Sequence, residues 1–324
     1  MRCLTLASAL RRQGAICGFL ATPQVASVLD TFADAQIRRF PALTSPPPAT
    51  VALAALVARE WGANAAVMDH YRTRRVEDSA LRAAGTRLLV IDDLKREHDA
   101  YMVLDSNLER RPDNYPGVET LLGPEFALVR QEFTALRAQT LARRREAGPP
   151  RRVLISLGLT DMDGITGAVV NALLPVIGDL QMDVVVGAGA QSLEGLKSLA
   201  ESDSRVHLHV NSQAMAALTA AADIAVGAGG SSLWERCCLG LPALTVVLAE
   251  NQRQAAASLV RRGATEHLTA KEPGFATQLV AAFQKLVADP AGMAKMSEAA
   301  SGLCDGLGAD RVAARLLTAI IEHG

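Results

Sequence analysis

The sequence predicts an α/β protein made of two Rossmann-like, doubly wound domains. In its second half, short runs of β-branched and aliphatic residues alternate with helical patterns of roughly ten residues or more, which is typical of a parallel sheet with right-handed crossovers. A length of 324 residues suits two domains of ordinary size. Between them, residues 143–152 join a charge run to Gly-Pro-Pro, which cannot continue a helix or a strand. We therefore place the domain boundary there.

The first predicted domain, residues 1–145, is the less regular of the two. Its residues 1–13 have apolar side chains at helical spacing and end at Gly14, so they predict a helix, although a doubly wound domain normally begins with a strand. Short apolar runs predict strands at 15–20, 65–68, 88–91 and 101–104. Further helical patterns lie at 22–35, 51–61 and 130–145.

The second predicted domain, residues 151–305, shows the regular alternation. Its strands are predicted at 153–157, 183–186, 206–210, 223–226 and 243–248. Its helices are predicted at 164–177, 191–201, 212–221, 231–239, 275–287 and 293–303. A last helix, at 310–321 within the C-terminal segment 306–324, is expected to pack back on the first domain.

Composition narrows the range of partners. Hydrophobic residues are 49% and charged residues 21%, a globular composition, and a net charge of −1 gives no electrostatic reason to expect nucleic acid or an anionic membrane as partner. No run of 18 or more apolar residues predicts a membrane span. The five cysteines form no CxxC pair and no zinc-like cluster, so they are interpreted as reduced residues of a cytoplasmic protein.

The clearest functional pattern is a glycine turn, residues 227–232, between the predicted strand 223–226 and the helix that follows. A strand, a glycine-rich turn and a helix N-terminus leave backbone N–H groups unpaired beside the positive end of the helix dipole, which favours a phosphate or diphosphate. Many purely structural turns share this pattern. Ser231 and Ser232 could add hydroxyl donors, or one of them could be the helix N-cap.

Other polar residues follow predicted strands or begin helices nearby. Glu235 lies early in the helix after the glycine turn, where its carboxylate could accept hydrogen bonds from a ribose diol; alternatively it is solvated. Asn251 follows the strand 243–248, at the sheet edge where open α/β folds bind ligands, and could also be a helix N-cap. His70 and Tyr71 end the strand 65–68 in the same way, although His70 could equally be a structural histidine.

Five motifs follow one another along the chain. They are Met-Arg-Cys-Leu-Thr-Leu-Ala at 1–7, Asp-His-Tyr at 69–71, Val-Ile-Asp-Asp-Leu at 90–94, Gly-Pro-Glu-Phe-Ala-Leu-Val-Arg at 123–130, and residues 227–252. In this order they resemble the motifs of the PseG family, the UDP-sugar hydrolases of pseudaminic acid biosynthesis. The resemblance implies a glycosyltransferase-B type fold like that of the MurG transferases. It also implies hydrolysis of UDP-2,4-diacetamido-2,4,6-trideoxy-β-L-altrose to UDP and free sugar, with no metal or other cofactor.

The resemblance also assigns roles to residues at the matching positions. Tyr71 and Asn251 would line the sugar site, and Glu235 would hold the ribose. The diphosphate would be held by Gly229, Gly230, Ser231 and Ser232. The expected partner is therefore a UDP-sugar, with no nucleic acid and no membrane.

The sequence departs from the family pattern in two places. The family's Gly-Gly-Ser-Asp-Pro is Gly-Leu-Thr-Asp-Met here, at residues 158–162. The family's Met-Arg-Cys is preceded by a strand and a Gly-x-Gly-His turn, whereas this chain begins at that Met. The resemblance thus implies that the first domain lacks its first strand, that the reading frame continues upstream, and that His70 is the best-placed histidine. A UDP-sugar glycosyltransferase, or a UDP-sugar binding protein without turnover, are the alternatives.

Overall fold

The structure is a computed structural model that describes residues 1–34, 36–40, 47–146 and 148–322. It divides into two compact units, Met1–Leu128 with Leu307–Gly324, and Val129–Gly306. The boundary predicted at residues 143–152 therefore lies inside the second unit. The reason is that Arg144 is buried and donates hydrogen bonds to three backbone carbonyls of that unit, those of Thr219, Ala222 and Leu239.

Both units contain helices and strands, and these alternate regularly in the second unit as far as Thr269. The first contains α1 (Arg2–Arg12), β1 (Gly18–Leu20), α2 (Pro23–Phe32), β2 (Arg38–Phe40), α3 (Pro47–Trp61), β3 (Ala65–Met68), α4 (Arg75–Arg82), β4 (Arg87–Ile91), β5 (Met102–Asp105) and β6 (Glu119–Leu122). The second begins with α5 (Gln131–Arg145), β7 (Arg152–Ser156), α6 (Ile165–Leu173), β8 (Gln181–Val186), α7 (Leu193–Ser202), β9 (Val206–Val210) and α8 (Met215–Ala221). It continues with β10 (Ile224–Ala228), α9 (Ser232–Cys238), β11 (Ala243–Val247), α10 (Glu250–Arg261), β12 (Glu266–Thr269), α11 (Phe275–Val287) and α12 (Pro290–Leu303), and α13 (Gly308–Ile321) completes the first unit.

The strands of the first unit form two parallel sheets. One pairs β1 with β2, and the other has the order β3-β4-β5-β6. In β4, Leu89 and Ile91 face one core with residues of α1 and α13, whereas Leu88 and Val90 face a second core with residues of α3 and α4. Both faces of this sheet are therefore covered by helices, as parallel sheets require.

The second unit has one six-stranded parallel sheet in the order β12-β11-β10-β7-β8-β9. Chain order proceeds outward from β7 on one side and outward from β10 on the other, so it reverses between these two strands. In open α/β sheets, ligands bind outside the carboxyl ends of the strands at such a reversal. The glycine turn follows β10 and the loop at residues 158–164 follows β7, so both lie at this switch point.

Three short strands are found that the sequence pattern does not predict: β2, β6 and β12. Each lies at an edge of its sheet and carries charged side chains, Arg38, Glu119 and Glu266 among them. Edge strands need no continuous apolar run, because one side of the strand has no strand neighbour. Within the described ranges, no helix is long and apolar enough to cross a bilayer.

A buried polar network lies where β4 and β5 end in the first unit. His98 Nδ1 is 2.8 Å from Asp78 Oδ2, and its Nε2 is 3.8 Å from Asp92 Oδ2. The hydroxyl of Tyr115 lies 3.1 Å from the same Asp92 oxygen and 2.8 Å from Asp105 Oδ2. Burial opposes the charged form of His98, but the hydrogen bond with Asp78 and the nearby Asp92 outweigh it and raise the pKa of His98.

We predict that this network makes the first unit less stable at alkaline pH. Because the pKa of His98 is raised above its ordinary 6.5, the imidazolium contributes stability that is complete below about pH 6.5 and is lost as pH rises through the folded-state pKa. The loss can be measured by amide hydrogen exchange of β4 and β5 between about pH 6 and 9. The observed exchange rates are compared with the intrinsic rates at each pH, so that the protection factors report stability alone.

The matched variants are His98→Ala and His207→Ala. Removing His98 leaves Asp78 buried without its cation and should cost about 3–5 kcal/mol. His207 contacts the neutral amide of Gln181, so its variant should keep the wild-type pH dependence. A first unit whose corrected protection is the same at both ends of this pH range would contradict the prediction.

Candidate functional site

The three glycines of the glycine turn differ in what surrounds them. A Cβ at Gly227 would lie 2.5 Å from Arg236 Nη1, and a Cβ at Gly229 would lie 3.1 Å from the Cβ of Gln252. At Gly230 no atom lies within 4 Å of the Cβ position. The first two glycines thus make room for neighbouring side chains of the protein, and only Gly230 leaves its surface open to a ligand.

The turn also contains unpaired backbone donors. The N–H of Gly229 donates to the carbonyl of Val246 at 3.3 Å. Within the part of the chain that the structure describes, the next three N–H groups, those of Gly230, Ser231 and Ser232, have no acceptor. Three consecutive free N–H groups beside an open glycine form an arrangement that binds anions.

The two serines of the turn have separate positions. Ser231 is the N-cap of α9, but its side chain makes no capping hydrogen bond. Ser232 is the first residue of α9, and its Oγ accepts a hydrogen bond from Arg236 Nη1 at 3.3 Å. Capping therefore does not occupy either hydroxyl, and both lie next to the free N–H groups.

Glu235 is bound by an arginine that sequence reasoning did not single out. Arg130 Nε lies 2.6 Å from Glu235 Oε1, and Arg130 Nη2 lies 3.1 Å from Oε2. Arg130 is the last residue of the motif at 123–130, which is the signal that could have identified it. Each carboxylate oxygen accepts one of these bonds and has a further lone pair, so Glu235 can still accept from a ligand hydroxyl.

The loop after β7 contains strained backbone. Asp161 and Asp163 have φ of 44° and 57°, in the left-handed region that non-glycine residues rarely occupy. Asp161 is buried and holds this conformation, because its Oδ1 accepts from the N–H of Thr166 at 2.8 Å and its Oδ2 from the N–H of Ser192 at 2.9 Å. The carbonyl of Leu159 also accepts a hydrogen bond from the N–H of Gly187 at 3.1 Å. Strained, over-determined loops of this kind concentrate at functional sites.

Asn251 lies at the neighbouring strand end, after β11. The helix α10 begins at Glu250 with Ala249 as N-cap, so Asn251 is not the N-cap that the sequence allowed. The next residue, Gln252, accepts a hydrogen bond from the N–H of Leu248 at 3.0 Å and packs against Gly229. The start of α10 is thereby attached to the glycine turn.

In the first unit, the motif residues at 1–7, 69–71 and 90–94 meet at the carboxyl ends of β3 and β4. Arg2 Nε donates to Asp69 Oδ2 at 3.0 Å, and Arg2 Nη2 lies 2.5 Å from Asp69 Oδ1. The Tyr71 hydroxyl donates to Asp93 Oδ2 at 2.8 Å, and Arg2 Nη1 lies 3.4 Å from the same oxygen. Sequence reasoning selected Tyr71 but missed Arg2, Asp69 and Asp93, although all three belong to the quoted motifs.

The geometry of His70 limits the chemistry of its ring. Its Nδ1 accepts a hydrogen bond from the N–H of Arg72 at 3.1 Å. Partial burial and the nearby charges of Arg72 and Arg96 lower the pKa of His70 below 6.5. The ring is therefore neutral at pH 7 with its proton on Nε2, so that nitrogen is a hydrogen-bond donor and not a base.

The described ranges contain no group of three His, Cys, Asp or Glu side chains that could hold a metal ion. All five cysteines are free thiols.

The predicted site residues fall into two sets. The second unit brings together Gly229, Gly230, Ser231, Ser232, Glu235 and Asn251 at the ends of β10 and β11, and the first unit places His70 and Tyr71 at the end of β3.

Comparison with known families supports a relationship for the second unit. Residues 168–312, less than half of the chain, match the family model described as the glycosyltransferase family 28 C-terminal domain. The matched segment includes the glycine turn, Glu235 and Asn251. The chain is also similar to the spore coat polysaccharide biosynthesis protein SpsG of Bacillus subtilis, with 28% identity over 144 residues. That alignment covers 44% of this chain and only 41% of SpsG.

Solved structures extend the likeness to nearly the whole chain. MurG of Acinetobacter baumannii superposes with a TM-score of 0.69 at 17% identity, covering 98% of this chain and 95% of MurG. The UDP-GlcNAc 2-epimerase of Neisseria meningitidis, solved bound to UDP-GlcNAc, gives 0.66 at 12% identity and covers 98% of each chain. Likeness at these identities establishes the fold. The protein has the predicted α/β fold of the MurG-like glycosyltransferase-B type, with two Rossmann-like domains.

The different surroundings of the glycines predict opposite outcomes for two matched variants. Gly227→Ala places a methyl group against the Arg236 guanidinium and should destabilise the second unit by about 1–3 kcal/mol. Gly230→Ala meets open space at a residue without positive φ, and should change stability by less than about 0.5 kcal/mol. Thermal unfolding of both variants tests this difference. Equal losses would contradict the assignment of the two glycines.

Proposed function

We propose that this protein is a nucleotide-sugar enzyme that hydrolyses a UDP-linked 2,4-diacetamido-2,4,6-trideoxy sugar to UDP and the free sugar. The observation that carries the proposal is the row of three free N–H groups beside the open Gly230 at the switch point of the second unit. The match of this region to the family 28 C-terminal domain supports it. So does the fold shared with an enzyme solved with UDP-GlcNAc.

The diphosphate is proposed to bind at the glycine turn. The N–H groups of Gly230, Ser231 and Ser232 and the two serine hydroxyls donate to its oxygens, and Gly229 lets Gln252 support the turn from behind. When the sugar–nucleotide bond breaks, negative charge grows on the departing UDP. Donors that are already oriented stabilise this charge without reorganisation, which is where a large part of the rate enhancement arises in such reactions.

In the first unit, His70 and Tyr71 are proposed to contact the sugar. Burial and the bond to Asp93 raise the pKa of Tyr71 to about 12, so its hydroxyl stays protonated at neutral pH. His70 is proposed to donate a hydrogen bond from its Nε2–H to a sugar oxygen, since its Nδ1 already accepts one from Arg72. Together these residues orient the sugar so that water attacks in one geometry.

The identity of the sugar in this proposal is inferred from the resemblance to the PseG family. A second candidate function has separate support. The family 28 description favours a glycosyltransferase that passes the sugar to an acceptor other than water. The two functions differ in whether an acceptor is needed.

Incubation of the protein with a panel of UDP-linked diacetamido sugars, without acceptor, tests the proposal directly. We expect release of UDP and free sugar, followed by phosphorus and proton NMR. His70→Phe removes this hydrogen-bond donor and should lower kcat/KM by about 10-fold, while His70→Gln, whose amide also donates, should keep most of the activity. UDP release only with an added acceptor would support the transferase instead, and UDP binding without turnover would overturn both enzymes in favour of a binding protein.

The role of Glu235 is tested by comparing UDP with 2′-deoxy-UDP in calorimetric titrations. If the carboxylate accepts from the ribose diol, wild type should prefer UDP by about 10-fold or more, and Glu235→Ala should abolish this preference. Arg130→Met breaks the same ion pair but keeps the carboxylate, so it should retain the preference. A preference that survives in Glu235→Ala would remove this residue from the ribose site.

A further inference from the structure

The glycine turn has a buried positive charge beneath it. Arg236 lies one turn into α9 and is only 5% exposed. Its Nη2 donates to the carbonyl of Ala228, the last residue of β10, at 2.8 Å, and its Nη1 donates to Ser232 Oγ. The guanidinium also lies against the backbone of Gly227, which is why that position must be glycine.

This charge has no carboxylate partner among the described residues. The acid next to it in the helix, Glu235, is paired with Arg130 instead. Burial lowers the pKa of Arg236 to about 10, so the guanidinium remains charged at neutral pH. An unpaired buried cation is unfavourable for a folded protein, because water can no longer solvate it.

We propose that Arg236 is a positioning residue that makes the glycine turn selective for an anionic diphosphate over an uncharged ligand. The inference rests on the proposed function and specifies what the site recognises. Arg236 acts in two ways. Its bonds to Ala228 and Ser232 fix the turn and orient the serine hydroxyl, and its charge is compensated only when an anion occupies the free N–H groups above it.

The proposal predicts different effects on two ligands that share the nucleoside. Removing the guanidinium should weaken UDP binding by about 10- to 100-fold, the size expected for a charge pair near a protein surface. Uridine, which lacks phosphate, should bind with unchanged affinity. A merely structural arginine would instead weaken both ligands alike, because loss of its bonds to Ala228 and Ser232 would disturb the whole turn.

Calorimetric titration of uridine and UDP into the full chain tests this with Arg236→Gln and Arg236→Met. The matched control is Arg205→Gln, which removes a guanidinium that donates to the backbone carbonyl of Gly178, in the same unit but away from α9. We expect the preference for UDP over uridine to fall in both Arg236 variants and to persist in the Arg205 variant.

The outcomes separate this inference from the proposed function. If wild type does not bind UDP, the proposed function fails and this inference with it. If wild type binds UDP and both Arg236 variants bind it equally well, only the role of Arg236 fails. If neither variant folds, the guanidinium is required by the fold itself, and the proposal is likewise overturned.

Discussion

The placement of helix α9 is the constraint on which the candidate site depends, and one face of α5 provides it. Arg130, Arg137 and Arg144 are spaced by seven residues, so they lie along one side of the helix. Arg130 pairs with Glu235 inside α9, while Arg137 and Arg144 donate to the carbonyls of the residues that end it, Cys238 and Leu239. Cations at a helix C-terminus satisfy its unpaired carbonyls and oppose its dipole. The position of α9 in turn fixes the glycine turn at its other end.

The glycine turn combines a permissive backbone with close support. Arg236 lies beneath Gly227, and Gln252 lies behind Gly229, so the turn is held from two sides. The remaining glycine, Gly230, is left with open space and with unpaired donors around it. A rigid turn with a few exposed N–H groups suits an enzyme that must bind charge developing on a leaving group, because the donors need no rearrangement when that charge appears.

The first unit concentrates polar side chains at the same kind of location, the carboxyl ends of its strands. There Arg2 joins Asp69 to Asp93, and the hydroxyl of Tyr71 is bonded to Asp93. A second network around His98 is more deeply buried. There the ring of His98 lies between the carboxylates of Asp78 and Asp92, so that the positive charge of the imidazolium balances their negative charge. The first network includes the half-exposed Tyr71, and the second lies inside the unit at the ends of β4 and β5.

The sequence by itself determined the fold class, most helices and strands of the regular second half, and the glycine turn. These follow from local periodicity and from turn chemistry, which depend on neighbours within a few residues. Short edge strands such as β6 and β12 escaped prediction because they lack an apolar run. Only the tertiary structure decided which glycine is open, that Glu235 pairs with Arg130, and that Arg2 meets Asp69. The reason is that each of these features depends on residues that lie from 9 to 105 positions apart in the chain and meet only in the folded protein. Their spacing in the sequence does not predict that they are in contact.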